Sequence, residues 1–148
     1  MRFLAYSLLA FGCTTNASSD PFVPDTTEIA ISRSGGFAPT PGAGSTCAPM
    51  DDHYTLTIAS HILAWKFCAA PANDQVYSLV PGQRTLSEVQ FEQVTTALHG
   101  LTGPQPLCGG DITDQIVFTT PTTHTTLDRA NCLGNESTVF ELLNGLAQ

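Results

Sequence analysis

Basic residues are scarce in this sequence: five Lys and Arg stand against thirteen Asp and Glu, a formal net charge of −8 in 148 residues. A chain this poor in cations lacks the Lys/Arg surface that nucleic-acid binding needs to displace phosphate counterions. It lacks equally the polybasic segment that docks on anionic lipid. Charge of either sign is sparse, at 12% of residues against the usual quarter or so. No stretch beyond the first dozen residues is long and apolar enough for a bilayer span, which excludes a multi-pass protein. Disorder is excluded from the other side, because 42% of the residues are hydrophobic and they are spread along the chain.

The motifs of enzymes and metal sites are missing as well. No two of His53, His61, His99 and His124 stand four apart around a Glu, so the helical zinc-protease pattern does not occur. There is no Gly-x-Ser-x-Gly elbow, and adjacent Ser60 and His61 would point apart in extended backbone. Gly35-Gly36 and Gly109-Gly110 lack the lysine and following helix of a phosphate loop. With no Cys-x-x-Cys spacing, tetrahedral zinc ligation has no support. Asp51-Asp52-His53 and Asp111 with Asp114 could attract a cation through oxygen ligands, but they read first as turn residues, being off the calcium-loop spacing. The chain is therefore expected to be no enzyme and to use no cofactor and no metal.

What is present begins at the N-terminus. Arg2 precedes an apolar run over residues 3–11 that is too short to span a membrane and has the anatomy of a secretory signal. Ala10-Phe11-Gly12-Cys13 resembles the lipobox of bacterial lipoproteins, in which small residues precede a cysteine that is acylated and becomes the mature N-terminus; Ala10 and Phe11 depart from that family's usual Leu and small residue. The resemblance implies a signal peptide over 1–12, lipidation of Cys13, and attachment of the cell-envelope protein to a membrane by acyl chains, the outer one if the cell is diderm. Ala10 and Gly12 also satisfy an ordinary cleavage rule, which would give simple secretion with Cys13 left over. Residues 13–27, rich in Thr, Ser, Asp, Pro and Asn, then form a polar tether.

Cysteine arithmetic agrees with acylation. Of five cysteines, removing Cys13 leaves Cys47, Cys68, Cys108 and Cys132, which can pair completely in an oxidising compartment. Cys47 and Cys68 bracket one hairpin-like stretch and Cys108 and Cys132 another, favouring sequential pairing. In the chain-entropy picture each link would contribute about 3 kcal/mol.

Residues 28–148 read as a single α+β domain. Residues 28–32 alternate in period two and form a first strand. They run into Arg33-Ser34-Gly35-Gly36-Phe37-Ala38 and an exposed Pro/Gly/Ser-rich loop through residue 45. A hairpin follows, with Tyr54, Leu56 and Ile58 on one face of its first strand and Leu63, Trp65 and Phe67 on one face of its second. Tyr77-Ser78-Leu79-Val80 before Pro81-Gly82 reads as a short strand and turn. A helix begins near Ser87, where Ser87 with Gln90 fits a capping box and Leu86 with Phe91 a hydrophobic staple; Gly100 is placed to end it. Residues 115–120 and 124–128 make a second hairpin. A last helix spans residues 137–146, with Val139, Leu142, Leu143 and Leu146 as its apolar stripe and Thr138 with Glu141 at its cap. The expected architecture is an antiparallel sheet of two hairpins plus an N-terminal strand, with two helices packed on one face.

The segment Arg33-Ser34-Gly35-Gly36-Phe37-Ala38, with His124-Thr125 on a later strand and a closing helix, resembles the emfourin family of small protein inhibitors of thermolysin-like metalloproteases. Its four further cysteines and extended loop depart from that family's pattern. The resemblance implies a protein-binding domain, an exported metalloprotease as partner, and Gly35, Gly36 and Phe37 as matches to the shared motif. The competing reading is a structural or ligand- or cation-binding envelope lipoprotein that uses its sheet face or the acidic turns at Asp51 and Asp111.

Overall fold

The structure, a computed structural model, describes residues 20, 22–35, 40–71, 75–102, 112–130 and 135–148. Among these, six strands form one antiparallel sheet: β1 (Glu28–Gly35), β2 (Asp52–Thr57), β3 (Ile62–Ala69), β4 (Ser78–Thr85), β5 (Ile112–Thr119) and β6 (His124–Ala130). Helix α1 (Glu88–His99) lies between β4 and β5, followed by a short 3-10 turn, and α2 (Asn135–Leu146) closes the chain. The spatial order is β4-β3-β2-β1-β5-β6, so the first four strands meander outward and β5 returns to the free side of β1.

Period-two alternation puts one face of every central strand into the core. Ile29 and Ile31 of β1 stand opposite Leu56 and Tyr54 of β2 and opposite Phe118 and Ile116 of β5. All six are buried, together with Leu63 of β3. Val94 and Leu98 of α1 and Val139, Phe140, Leu143 and Leu146 of α2 complete the same cluster, so both helices cover this one face. The other face, carrying Ser32, His53, Thr55, Ala64, Lys66 and Gln115, is left uncovered by them and is half-exposed to exposed.

Local chemistry sets the helix ends. The Ser87 hydroxyl accepts from the Gln90 N–H at 3.3 Å, while the Gln90 side chain accepts from the Ser87 N–H at 3.1 Å, the reciprocal pair expected from sequence. Gly100 ends α1 in ordinary right-handed backbone, and the chain tightens into the 3-10 turn instead of reversing through a left-handed cap. Helix α2 starts at Asn135, so Thr138 lies inside it and not at its cap.

The sheet has one strand more than the two hairpins and N-terminal strand expected. The chain does not turn at Pro81-Gly82; it continues as β4 to Thr85. Two physical reasons allow this. β4 is an edge strand, where a residue without N–H is tolerated at a position facing away from the ladder. Gly82 stands opposite Trp65, and a Cβ there would sit 2.4 Å from the indole. The bare glycine backbone is thus the floor on which Trp65 lies.

Candidate functional site

The connections from β1 to β2 and from β3 to β4 lie at the same end of the sheet. There β1, β3 and β6 finish, and β2, β4 and β5 begin. The sequence segment singled out above emerges at this end, and the structure shows what supports it.

Beneath it lies a row of charges on the helix-facing side. The register sets Arg33 of β1 opposite Asp52 of β2 on one side and Asp114 of β5 on the other. Asp114 is fully buried, and Arg33 grips it with both prongs: Nε donates to Oδ1 at 2.7 Å and Nη2 to Oδ2 at 2.8 Å. The guanidinium also lies 3.8 Å from the centroid of the Phe140 ring of α2. A planar, weakly hydrated cation suits such a place, because it can stack on an aromatic face while satisfying both carboxylate oxygens. The expectation of an exposed loop from Arg33 onward is corrected here: β1 continues through Gly35, and the Arg33 side chain is largely sequestered.

Asp52 is the second acid of the row. Burial pushes its carboxyl above the usual carboxylate range, partly offset by a hydrogen bond from the Cys68 backbone and by the positive charge of Arg33. Next along β2, the Tyr54 hydroxyl donates to Asn144 Oδ1 of α2 at 3.2 Å. Burial raises its pKa, and the nearby Asp52 charge acts in the same direction. Tyr54 meets Phe67 and Phe140 edge-on, with ring centroids 5.6 and 5.5 Å away.

Above this row the connection from β1 to β2 is pinned from outside. Cys47 and Cys68 form a disulfide with Cα atoms 5.9 Å apart, joining the connection to the end of β3 as expected. Backbone bonds tie it to the approach to β4: the Gly42 N–H donates to the Gln75 carbonyl at 2.7 Å and the Thr46 N–H to that of Tyr77 at 2.9 Å. Gly42 is required for the first, since a Cβ there would stand 2.9 Å from the Gln75 oxygen. The Ser45 hydroxyl donates to the Gly42 carbonyl and accepts from the Tyr77 N–H. Asp51 accepts the Ala48 N–H at 3.2 Å, a turn role. On the uncovered sheet face beside this end, His53, Thr55, Ala64, Lys66 and Leu79 line a shallow hollow of about 380 Å³.

The expected site residues distribute as follows. Gly35 ends β1, exposed, at φ +91°, a conformation that favours glycine. Gly36, Phe37, Cys13, Cys108, Cys132 and Asp111 lie outside the described residues. Asp114 does not face a cation site, because its carboxylate is taken by Arg33. The histidines are separate: His53 is exposed on β2, His61 stacks on Phe91 at 3.8 Å, His99 lies against Phe22 and Asp20, and His124 meets the Thr119 hydroxyl. Among the described residues no group of three or more His, Cys, Asp or Glu is placed to hold a metal ion, and no helix is long and apolar enough to cross a membrane.

The Arg33–Asp114 pair is the feature that sequence reading missed. Its signal was there: Asp114 shares the period-two face of Ile116 and Phe118, and Arg33 that of Ile29 and Ile31. Opposite charges at inward positions of two strands imply a buried partner for each. No family model matches the chain, and comparison with curated proteins finds no match.

Proposed function

We propose that this chain is an exported lipoprotein of the cell envelope, anchored through Cys13, whose non-catalytic domain binds and inhibits an exported metalloprotease through the loops at one end of its sheet. The observation that carries the reading is the support under Arg33–Gly35, the described start of the motif segment. Its first residue is clamped by a buried carboxylate and an aromatic ring, and the chain beyond it is tied down by a disulfide. Ordering a loop before it meets its partner removes much of the entropic cost of association, as inhibitory loops require. The Cys47–Cys68 link favours an oxidising compartment, in keeping with the signal-like N-terminus. The pairing of Thr113 with Ala130 brings together the start of β5, which follows Cys108 in sequence, and the end of β6, which precedes Cys132, in keeping with a second disulfide between them.

Titrating the purified chain against a thermolysin-like protease with a peptide substrate tests the inhibitor reading. Inhibition at micromolar chain that Phe37→Ala weakens is expected; unchanged peptidase activity removes it. Intact mass of the native protein tests the anchor, with loss of residues 1–12, addition of acyl chains and loss of four thiol hydrogens expected together.

A further inference from the structure

We infer that the groove between α1 and α2, on the side of the helices turned away from the sheet, is a docking site for a cationic amphipathic helix of a partner. The groove has a volume of about 560 Å³ and an apolar floor of Val89, Ala97 and Leu142, bordered by Glu92, Gln93 and Thr96. Val89 is 64% exposed, the most exposed of the large hydrophobic residues found so, on a helix whose opposite side already buries Val94 and Leu98.

Charge selects the occupant. The sequences of α1 and α2 contain four glutamates and neither lysine nor arginine; Glu92, which lines the groove, and Glu141, next in sequence to the lining residue Leu142, are both exposed. Among the described residues, no Lys or Arg lines the groove. Arg33 is held by Asp114, Arg84 donates to the Leu146 carbonyl at 2.9 Å, Lys66 stands on the opposite sheet face, and Arg129 is on β6. An apolar floor with an acidic border and no lysine or arginine among its lining residues complements a segment whose own apolar stripe is flanked by Lys or Arg. A helix fits better than a strand. The lining positions 89, 92, 93, 96 and 97 of α1 recur at helical spacing over about 12 Å, so a third helix can lie along them by ridge-and-groove packing. This site is on a different face from the loop end and does not depend on its assignment.

The probe is a synthetic peptide of about 14 residues with Leu and Lys at helical spacing, labelled for fluorescence anisotropy and titrated with the purified full chain. The control is an isomer of the same composition with Leu and Lys strictly alternating. The helical peptide should bind at micromolar concentration, at least roughly tenfold more tightly than the isomer, and less tightly as salt rises. Glu92→Lys should weaken it. Val89→Glu separates shape from charge: it adds a favourable negative charge but removes the floor, and is expected to weaken binding by about tenfold. Both side chains are exposed, so neither variant threatens the fold. Equal binding of the isomer, tighter binding to Val89→Glu, or no effect of Glu92→Lys would overturn the proposal. So would self-association of the chain that Val89→Glu abolishes, because the occupant would then be a second copy.

Discussion

Replacing Arg33 by Met tests how the loop-bearing end of the sheet is held. Methionine keeps the apolar stem and much of the contact with Phe140, but removes every donor to Asp114. The Asp114 carboxylate has no solvent exposure and takes both of its hydrogen bonds given above from Arg33, so the variant leaves a charge buried with neither partner nor water. Removing one member of such a pair costs about 3–5 kcal/mol, whereas an exposed ion pair is worth about 0–1 kcal/mol. Against a total stability of about 5–15 kcal/mol, the buried case is large enough to shift a urea midpoint decisively. The double variant Arg33→Met/Asp114→Leu, which removes both charges, should recover most of the loss. Chemical denaturation of the four proteins of this cycle, followed by far-UV circular dichroism, measures both quantities. A cost below about 1 kcal/mol for Arg33→Met, or a double variant no more stable than the single one, would refute the reasoning, because the pair would then behave as a solvated one.

Three further outcomes follow from the geometry. Gly82→Val places side-chain atoms where the Trp65 ring lies, 2.4 Å from the Cβ position, and should cost about 1–3 kcal/mol; because Trp65 is the only tryptophan, its fluorescence reports the displacement directly. Replacing Cys47 and Cys68 by Ser should cost about 3 kcal/mol for a link spanning 21 residues, read as a melting temperature lower than the parent's under oxidising conditions and equal to it when both are measured in reductant. Asp52→Asn should cost no stability at pH 7, because a carboxyl whose folded pKa is raised opposes folding while charged; the penalty lifts as pH falls through the raised folded value, so the variant's advantage over the parent should shrink in acid. A melting curve at pH 7 and at pH 4 checks this, and a variant markedly less stable at pH 7 would contradict it.

Elements whose signal is local were legible in the sequence. The Ser87–Gln90 cap marks the start of α1, and alternation at residues 28–32, 53–58 and 63–67 gives three central strands, the last two with their inward residues correctly grouped on one face. The Cys47–Cys68 link follows from bracketing a hairpin. What failed was non-local. Pro81-Gly82 carries a turn signal in isolation, and only its position at a sheet edge against Trp65 makes it strand. Arg33 and Asp114 are 81 residues apart, and their meeting depends on β5 returning to pair with β1, which no local pattern announces. Of the candidate loop, Gly35 is placed and its supporting clamp is new; Gly36 and Phe37 lie beyond the described residues.

Pro81 has a consequence for how the folded chain behaves among its own copies. An outermost strand ordinarily offers a ladder of donors and acceptors on which a neighbour's strand can build, and repetition of that step leads to fibres. On β4 the proline deletes one rung from that ladder near its middle, and the adjoining glycine offers no side chain for an incoming strand to grip. Lateral growth across this border is therefore interrupted by covalent structure, and it stays interrupted however densely the molecules are packed.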